Sequence, residues 1–224
     1  QLIDKCLKQF AIKQVPILVL THFHADHVEG LPGLLKGRSV GQVWVSPQID
    51  PAFESERVQK WLKVIPQIPV TAGFAVQMPS NRGPINFHVL WPKLGSQDSP
   101  NNSSIVMQIN STDFSLLAAG DIEPIAQSQL VQQLSQVDLY KVAHHGSRYQ
   151  DLNFMKALSP RISIISVGKD NTYGHPAPQT IAALSRIGST VYRTDQDGAL
   201  AINARRHRVK VRKSHQVFKF WQWG

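Results

Sequence analysis

The segment Thr21-His22-Phe23-His24-Ala25-Asp26-His27 directly follows the apolar run Ile17-Leu18-Val19-Leu20. A short, fully apolar run of this kind reads as a buried strand, so the cluster stands at a strand end. His22 and His24, two apart in extended chain, point to the same side and can grip one ion. Asp26 and His27, where the chain turns toward the next helix, can face a second ion beside it. Imidazole and carboxylate together suit zinc, manganese or iron. With only 9 histidines in 224 residues, three of them beside an aspartate at one strand end read as a metal site.

Two other strand ends supply matching groups. Phe114-Ser115-Leu116-Leu117-Ala118-Ala119-Gly120-Asp121 is an apolar strand closed by Gly-Asp. A carboxylate there can bridge two metals about 3.5–4 Å apart, although Gly-Asp alone equally suits a turn or a helix N-cap. Val142-Ala143-His144-His145-Gly146-Ser147 ends another strand. Neighbours on a strand face opposite ways, so one histidine of the pair is expected to bind metal and the other to hold substrate phosphate or donate a proton. Gly146 and Ser147 can offer backbone N–H groups to an anion. In Tyr173-Gly174-His175-Pro176, ahead of a helix, His175 suits a phosphate ligand or general acid, or a satisfied loop histidine. His88, in an alternating strand, and His207 and His215, in the basic tail, are left outside the site. Cys6, on an amphipathic helix, reads as a small core residue.

Composition sets the outer limits. Apolar residues make up 42% and charged ones 17%, with 14 Gly and 14 Pro, a globular and loop-rich balance. No run approaches the ~18 apolar residues of a membrane span. The single cysteine excludes a disulfide framework and any multi-cysteine zinc site. Lys and Arg number 24 against 15 Asp and Glu, a net charge of +9. The excess is local: beyond Asp197 lie Arg205, Arg206, Arg208, Lys210, Arg212, Lys213 and Lys219 with no acid. Such a strip points to a polyanion, nucleic acid or an acidic membrane surface, and on charge alone a solvated final hairpin accounts for it equally well. The chain opens on Gln1 without a signal-peptide pattern, and is expected to be a piece of something longer.

Along the chain, helical spacing predicts helices at 2–10, 30–35, 51–64, 122–134 and 178–187. Strands are predicted at 17–20, 43–45, 74–76, 85–90, 105–109, 114–118, 139–142, 162–167 and 190–193, with one or two exposed strands over 199–221. Residues 92–104, rich in Pro, Ser and Asn, read as a long surface loop. Apolar strands mixed with helices mean an α/β fold with buried sheets.

His22-x-His24-x-Asp26-His27 resembles the signature of the metallo-β-lactamase superfamily. Further segments are similar, more narrowly, to the C-terminal metallo-β-lactamase domain of the ComEC family of DNA-uptake competence proteins. They are Asn101-Asn102-Ser103-Ser104-Ile105-Val106, Leu117-Ala118-Ala119-Gly120-Asp121, Lys141 to Ser147, Ile165-Ser166-Val167-Gly168, Asn171-x-Tyr173-Gly174-His175-Pro176 and Arg193-Thr194-Asp195. The resemblance implies a four-layer αβ/βα sandwich, as one domain over 1–224 with a basic tail from about 199 and without its first N-terminal strands. It implies one or two divalent ions, zinc or manganese, and no small organic cofactor. His22 and His24 would hold one ion and Asp26 and His27 the other, with Asp121 bridging. One of His144 and His145, with His145 preferred, would complete the second site, and His175 would face phosphate or donate a proton. Where many members of the superfamily carry a third-motif histidine, this chain has Asn101-Asn102.

The function so implied is metal-dependent phosphodiester hydrolysis, degrading the non-imported DNA strand during natural transformation. Bound ions would bring the pKa of a water toward ~7 and balance charge on the phosphate oxygens. Asp26 would orient the attacking group, and His144 or His175 would protonate the leaving oxygen. The implied partners are DNA, in single-stranded form, and the membrane channel portion of the same or a larger protein, with this domain outside the cytoplasm. Phe218, Phe220, Trp221 and Trp223 in the tail can stack bases or form the core face of a closing strand. Two alternatives stand beside this: a small-molecule phosphodiesterase or esterase of the same superfamily, and a catalytically vestigial DNA-binding domain.

Overall fold

The structure is a computed structural model that describes residues 2–95, 99–205 and 208–213. The chain divides into two compact units interleaved in sequence. One comprises Gln1–Ala75, His88–Met107 and Gly120–Ile122, the other Val76–Phe87, Gln108–Ala119 and Glu123–Gly224.

The first unit opens with α1 (Leu2–Gln9), β1 (Gln14–Leu20), α2 (Ala25–Val28), α3 (Leu31–Leu35), β2 (Ser39–Val45), α4 (Ala52–Leu62) and β3 (Gln67–Pro69). β1, β2 and β3 form a parallel sheet in that order. Its register sets Leu18 opposite Val43 and Leu20 opposite Val45. Leu20, Val43 and Val45 pack with Phe23, Val28, Leu31, Val58 and Leu62 in one buried cluster. At roughly 1.5–3 kcal/mol for each large apolar side chain removed from water, this cluster fixes where β1 ends and hence where His22 begins. α1 departs from expectation: its buried residue is Asp4, bonded by Lys8 at 2.9 Å and Arg38 at 3.0 Å, while Cys6 is only half-buried. The Lys8 and Arg38 hydrogen bonds hold the Asp4 carboxyl below its usual pKa.

The larger sheet adds β4 (Ala75–Met78), β5 (Ile85–Trp91), β6 (Val106–Asn110), β7 (Ser115–Ala118), β8 (Leu139–Lys141), β9 (Ile162–Ile165) and β10 (Thr190–Arg193), in the order β10-β9-β8-β7-β6-β5-β4. β7 to β10 run parallel, with α5 (Pro124–Leu130), α6 (Leu152–Leu158) and α7 (Pro178–Arg186) in the connections. The predicted helix over 122–134 is shorter as α5, closed by a 3-10 turn at Val131–Gln133. The loop reading of 92–104 fails at its far end. Asn101–Ser103 form a 3-10 turn, and Asn102, Ser103 and Ser104 are buried, because Trp91 Nε1–H donates to Asn102 O and Ser46 Oγ–H to Ser103 O.

After the short α8 (Thr194–Asp197), β11 (Leu200–Arg205) and β12 (Arg208–Lys213) pair as an antiparallel ribbon. Lys213 anchors it, 2.6 Å from Asp197 and over the Tyr192 ring. Arg205, Arg208, Lys210 and Arg212 are exposed. Arg206, His207, His215 and Lys219, and the tail aromatics Phe218, Phe220, Trp221 and Trp223, lie outside the described residues. Among the described residues, no helix is long and apolar enough to cross a membrane.

Candidate metal centre

The first-unit site is built on the end of β1. Thr21 to His24 follow β1 outside regular secondary structure, His24 has extended backbone, and Phe23 is fully buried. His22 Nε2 lies 3.2 Å from His24 Nδ1. α2 begins at once and brings the His27 ring to 4.2 Å from the His22 ring, centroid to centroid. His27 Nε2 is 3.1 Å from Asp121 Oδ2 and 3.7 Å from Asp26 Oδ2. Ligand atoms of Asp26, His27 and Asp121 all lie within 4.8 Å of one another. Two atoms bound tetrahedrally at 2.0–2.1 Å from one zinc stand about 3.3 Å apart, so the spacings of His22 to His24 and of His27 to Asp121 fit shared ions.

Asp121 is neither an exposed turn residue nor an N-cap. It is buried, and Glu123 caps α5. The preceding Gly120 is required here: it sits at φ +54°, and a Cβ on it would come 2.6 Å from Ser104 Cβ. That close approach lets Asp121 N–H donate to Ser104 Oγ at 3.0 Å. Ser104 Oγ also lies 3.1 Å from His22 Nδ1. Ser104, fully buried, thus touches both His22 and Asp121, and sequence reasoning gives it no role because an isolated serine carries no ligand signal. Burial, reinforced by His27, pushes the His22 pKa down to about 3. His22 is therefore neutral at neutral pH, the form in which imidazole binds metal.

The second unit holds His144, His145 and His175. The pair lies beyond β8, in a turn over Ala143–Gly146, with His144 at φ 45°, ψ 51° and His145 at φ 49°, ψ 25°. The expected strand alternation is therefore not what separates the rings. They diverge through a left-handed turn, 6.4 Å apart and 71° between planes. Two non-glycine residues there cost roughly 1–2 kcal/mol each, and the turn is braced against reverting. Ala143 N–H donates to Tyr140 Oη, Gln150 Nε2–H to Ala143 O, and Ala177 N–H to Gly146 O.

His145 Nδ1–H donates to Ser166 O at 2.7 Å, an outer bond of the kind that orients a ligating histidine ring. His144 Nδ1 lies 3.3 Å from Glu123 Oε1, and its ring centroid is 5.3 Å from that of His175. Glu123 is absent from the sequence-predicted site; its only signal is its place two residues after Asp121. His175 follows a turn in which Asn171 accepts from Tyr173 N–H and donates to His175 O. His88 is exposed in β5, away from these groups in sequence and in role.

The family model of the metallo-beta-lactamase superfamily matches residues 2–169. The chain is 34% identical over 198 residues to ComE operon protein 3 of Bacillus subtilis, covering 84% of this chain and 24% of that protein. It is 25% identical over 138 residues to Recombination protein 2 of Haemophilus influenzae, covering 61% of this chain and 18% of that one. The chain thus spans a quarter or less of the length of these relatives. Among solved structures, CmlA, a diiron beta-hydroxylase from Streptomyces venezuelae, matches with a TM-score of 0.54 at 18% identity, over 81% of this chain and 44% of that one. That likeness is one of fold. With the family model running from α1 through β9 and a histidine-aspartate cluster at the end of β1, the chain belongs to the metallo-β-lactamase superfamily and carries its metal-dependent hydrolase fold.

Proposed function

We propose that this chain is a metal-dependent DNA nuclease of a DNA-uptake machine, hydrolysing phosphodiesters of the strand that is not imported. The observation that carries the chemistry is the convergence of Asp26, His27 and Asp121 beside His22 and His24. The resemblance to the DNA-uptake competence family supports DNA as the substrate, and so does the exposed cationic ribbon β11–β12.

Divalent ions, zinc or manganese, supply a water of lowered pKa and charge to balance the phosphate oxygens. His22, His24, Asp26, His27 and Asp121 would hold them, with His145 as the further ligand that the family resemblance assigns. Asp26, whose side chain is 61% exposed, orients the attacking water. His144 protonates the leaving oxygen, with Glu123 Oε1 3.3 Å from its Nδ1, and His175 binds phosphate or shares the proton. Arg208, Lys210 and Arg212 alternate along β12 about 6.7 Å apart, a row of charges suited to tracking a phosphate backbone. The ordered context is a larger membrane protein whose channel portion takes the other strand.

Turnover of labelled single-stranded DNA against a small phosphodiester, bis(p-nitrophenyl) phosphate, tests the substrate class. The nuclease reading expects DNA to be preferred. It also expects Arg208→Ala/Lys210→Ala/Arg212→Ala to flatten the salt dependence of DNA binding by about 2 in log–log slope, near 0.7 per lost phosphate contact. Turnover of the small ester alone, unaffected by the ribbon variant, moves the assignment to a small-molecule phosphodiesterase.

A further inference from the structure

Ser104 touches both His22 and Asp121 of the first-unit cluster. Its Oγ accepts from Asp121 N–H at 3.0 Å and stands 3.1 Å from His22 Nδ1. Three backbone features converge on it. Ile105 N–H donates to Thr21 O at 3.0 Å, tying the serine strand to the histidine strand. Gly120 has no Cβ where one would meet Ser104 Cβ at 2.6 Å. The buried turn at Asn101–Ser103 delivers Ser104 into the interior, held by Trp91 and Ser46.

We propose that Ser104 is a positioning residue that sets the tautomer of His22 and the placement of Asp121 together. This rests on the metal-hydrolase reading of the site. A serine oxygen has two lone pairs. One receives the Asp121 N–H; the other receives a proton carried on His22 Nδ1. His22 is then left with an unprotonated Nε2, the atom that faces His24 Nδ1 at 3.2 Å and the one that would ligate. Thr21 Oγ1, also 3.2 Å from His22 Nδ1, is a second hydroxyl oxygen that can accept the same proton. A ligating histidine whose other nitrogen is anchored in this way binds metal in a fixed orientation.

The consequence reaches the missing third-motif histidine. The segment Asn101-Asn102-Ser103-Ser104 contributes Ser104 from behind the cluster, as a support for an existing ligand.

Histidine-labelled protein observed by long-range nitrogen–proton NMR reads the tautomer without any metal present. The expected result is that His22 carries its proton on Nδ1 and that Ser104→Ala shifts it toward Nε2. Manganese affinity, measured by titration, should fall roughly 10–100-fold with Ser104→Ala, the range for outer-shell partners. Thr21→Val should have a smaller effect on both readouts. A wild-type His22 protonated on Nε2 overturns the assignment, and so does a Ser104→Ala protein with unchanged tautomer and unchanged affinity. If Ser104→Ala fails to fold, the wild-type tautomer decides. Wild-type protein that shows the Nδ1–H tautomer yet takes up neither manganese nor zinc overturns the metal-hydrolase reading and leaves the Ser104 hydrogen bonds standing.

Discussion

His22 to His27 contain no residue in the left-handed region, with His24 extended at φ −60° and ψ 147° and α2 beginning at Ala25. His144 and His145 sit in the left-handed region, at φ 45° and 49°. The first segment needs no strained backbone: the helical turn of α2 carries Asp26 and His27, and Phe23 anchors it in the core. The second is aimed by a turn that side chains rarely adopt and that distant residues hold in place, Ala177 and Gln150 among them. Strained backbone persists where the surroundings over-determine it, and such places are often functional. One site is thus written locally in the chain, and the other is written in its supports.

The sharpest way to break that comparison is to change Asp121, which contacts His27 of the first segment, and His144 of the second, and to read metal content beside turnover. Asp121→Ala should cost metal and lower kcat/KM by more than the 10–100-fold seen for outer-shell changes. His144→Gln, by contrast, should retain its metal and lose about 10²-fold or more in kcat, as expected for a proton donor. Loss of metal from His144→Gln would erase the division of labour drawn between His144 and His145.

Backbone strain gives the next effect. Gly146 is at φ +75°, and a Cβ there would lie 2.8 Å from Pro176 Cβ and 3.3 Å from Ile165 Cδ1. Gly146→Ala should destabilise the protein by about 1–3 kcal/mol, read as a lower urea midpoint. Gly37→Ala is the matched control: it shares positive φ, at +68°, but has nothing within 4 Å, so it should pay the conformational cost alone. Equal losses at both positions would show that packing around the histidine turn contributes little.

The smallest effect concerns acid. Burial lowers the pKa of His22 from 6.5 to about 3 in the folded protein. Between those values the unfolded chain binds the extra proton, so stability is present above pH 6.5 and lost as pH falls toward 3. One unit below the ordinary pKa the deficit is about 1.4 kcal/mol. In metal-free protein, His22→Asn should flatten the acid limb of a Tm–pH profile. A profile of unchanged slope would mean that His22 is not the buried neutral histidine described here.

Much of this was legible before any coordinates. The apolar run ending at Leu20 located β1 and its ligand cluster, and Gly120-Asp121 closed β7 as expected. These signals are local, carried by hydrophobic spacing and residue type. What stayed hidden depends on distant partners. Asp121 pairs with His27 across 94 residues, Ser104 approaches only because Gly120 lacks a Cβ, and Glu123 meets His144 through the left-handed turn. β3 at Gln67–Pro69 is too short and proline-bounded to show a period. α6 was missed despite its cap, Asp151, which accepts from Asn153 and Phe154 N–H; its apolar residues Phe154, Met155 and Leu158 follow a helical spacing that was there to be read.

The proposed function rests on metal held by the first segment serving DNA cleavage. Its most direct test is cleavage of end-labelled single-stranded DNA by this chain with added manganese or zinc, beside an Asp26→Ala/His27→Ala variant. The account predicts metal-dependent cutting that chelator stops and the variant lacks. Folded, metal-loaded protein that leaves the DNA intact, or a variant that cuts as fast as wild type, would contradict it.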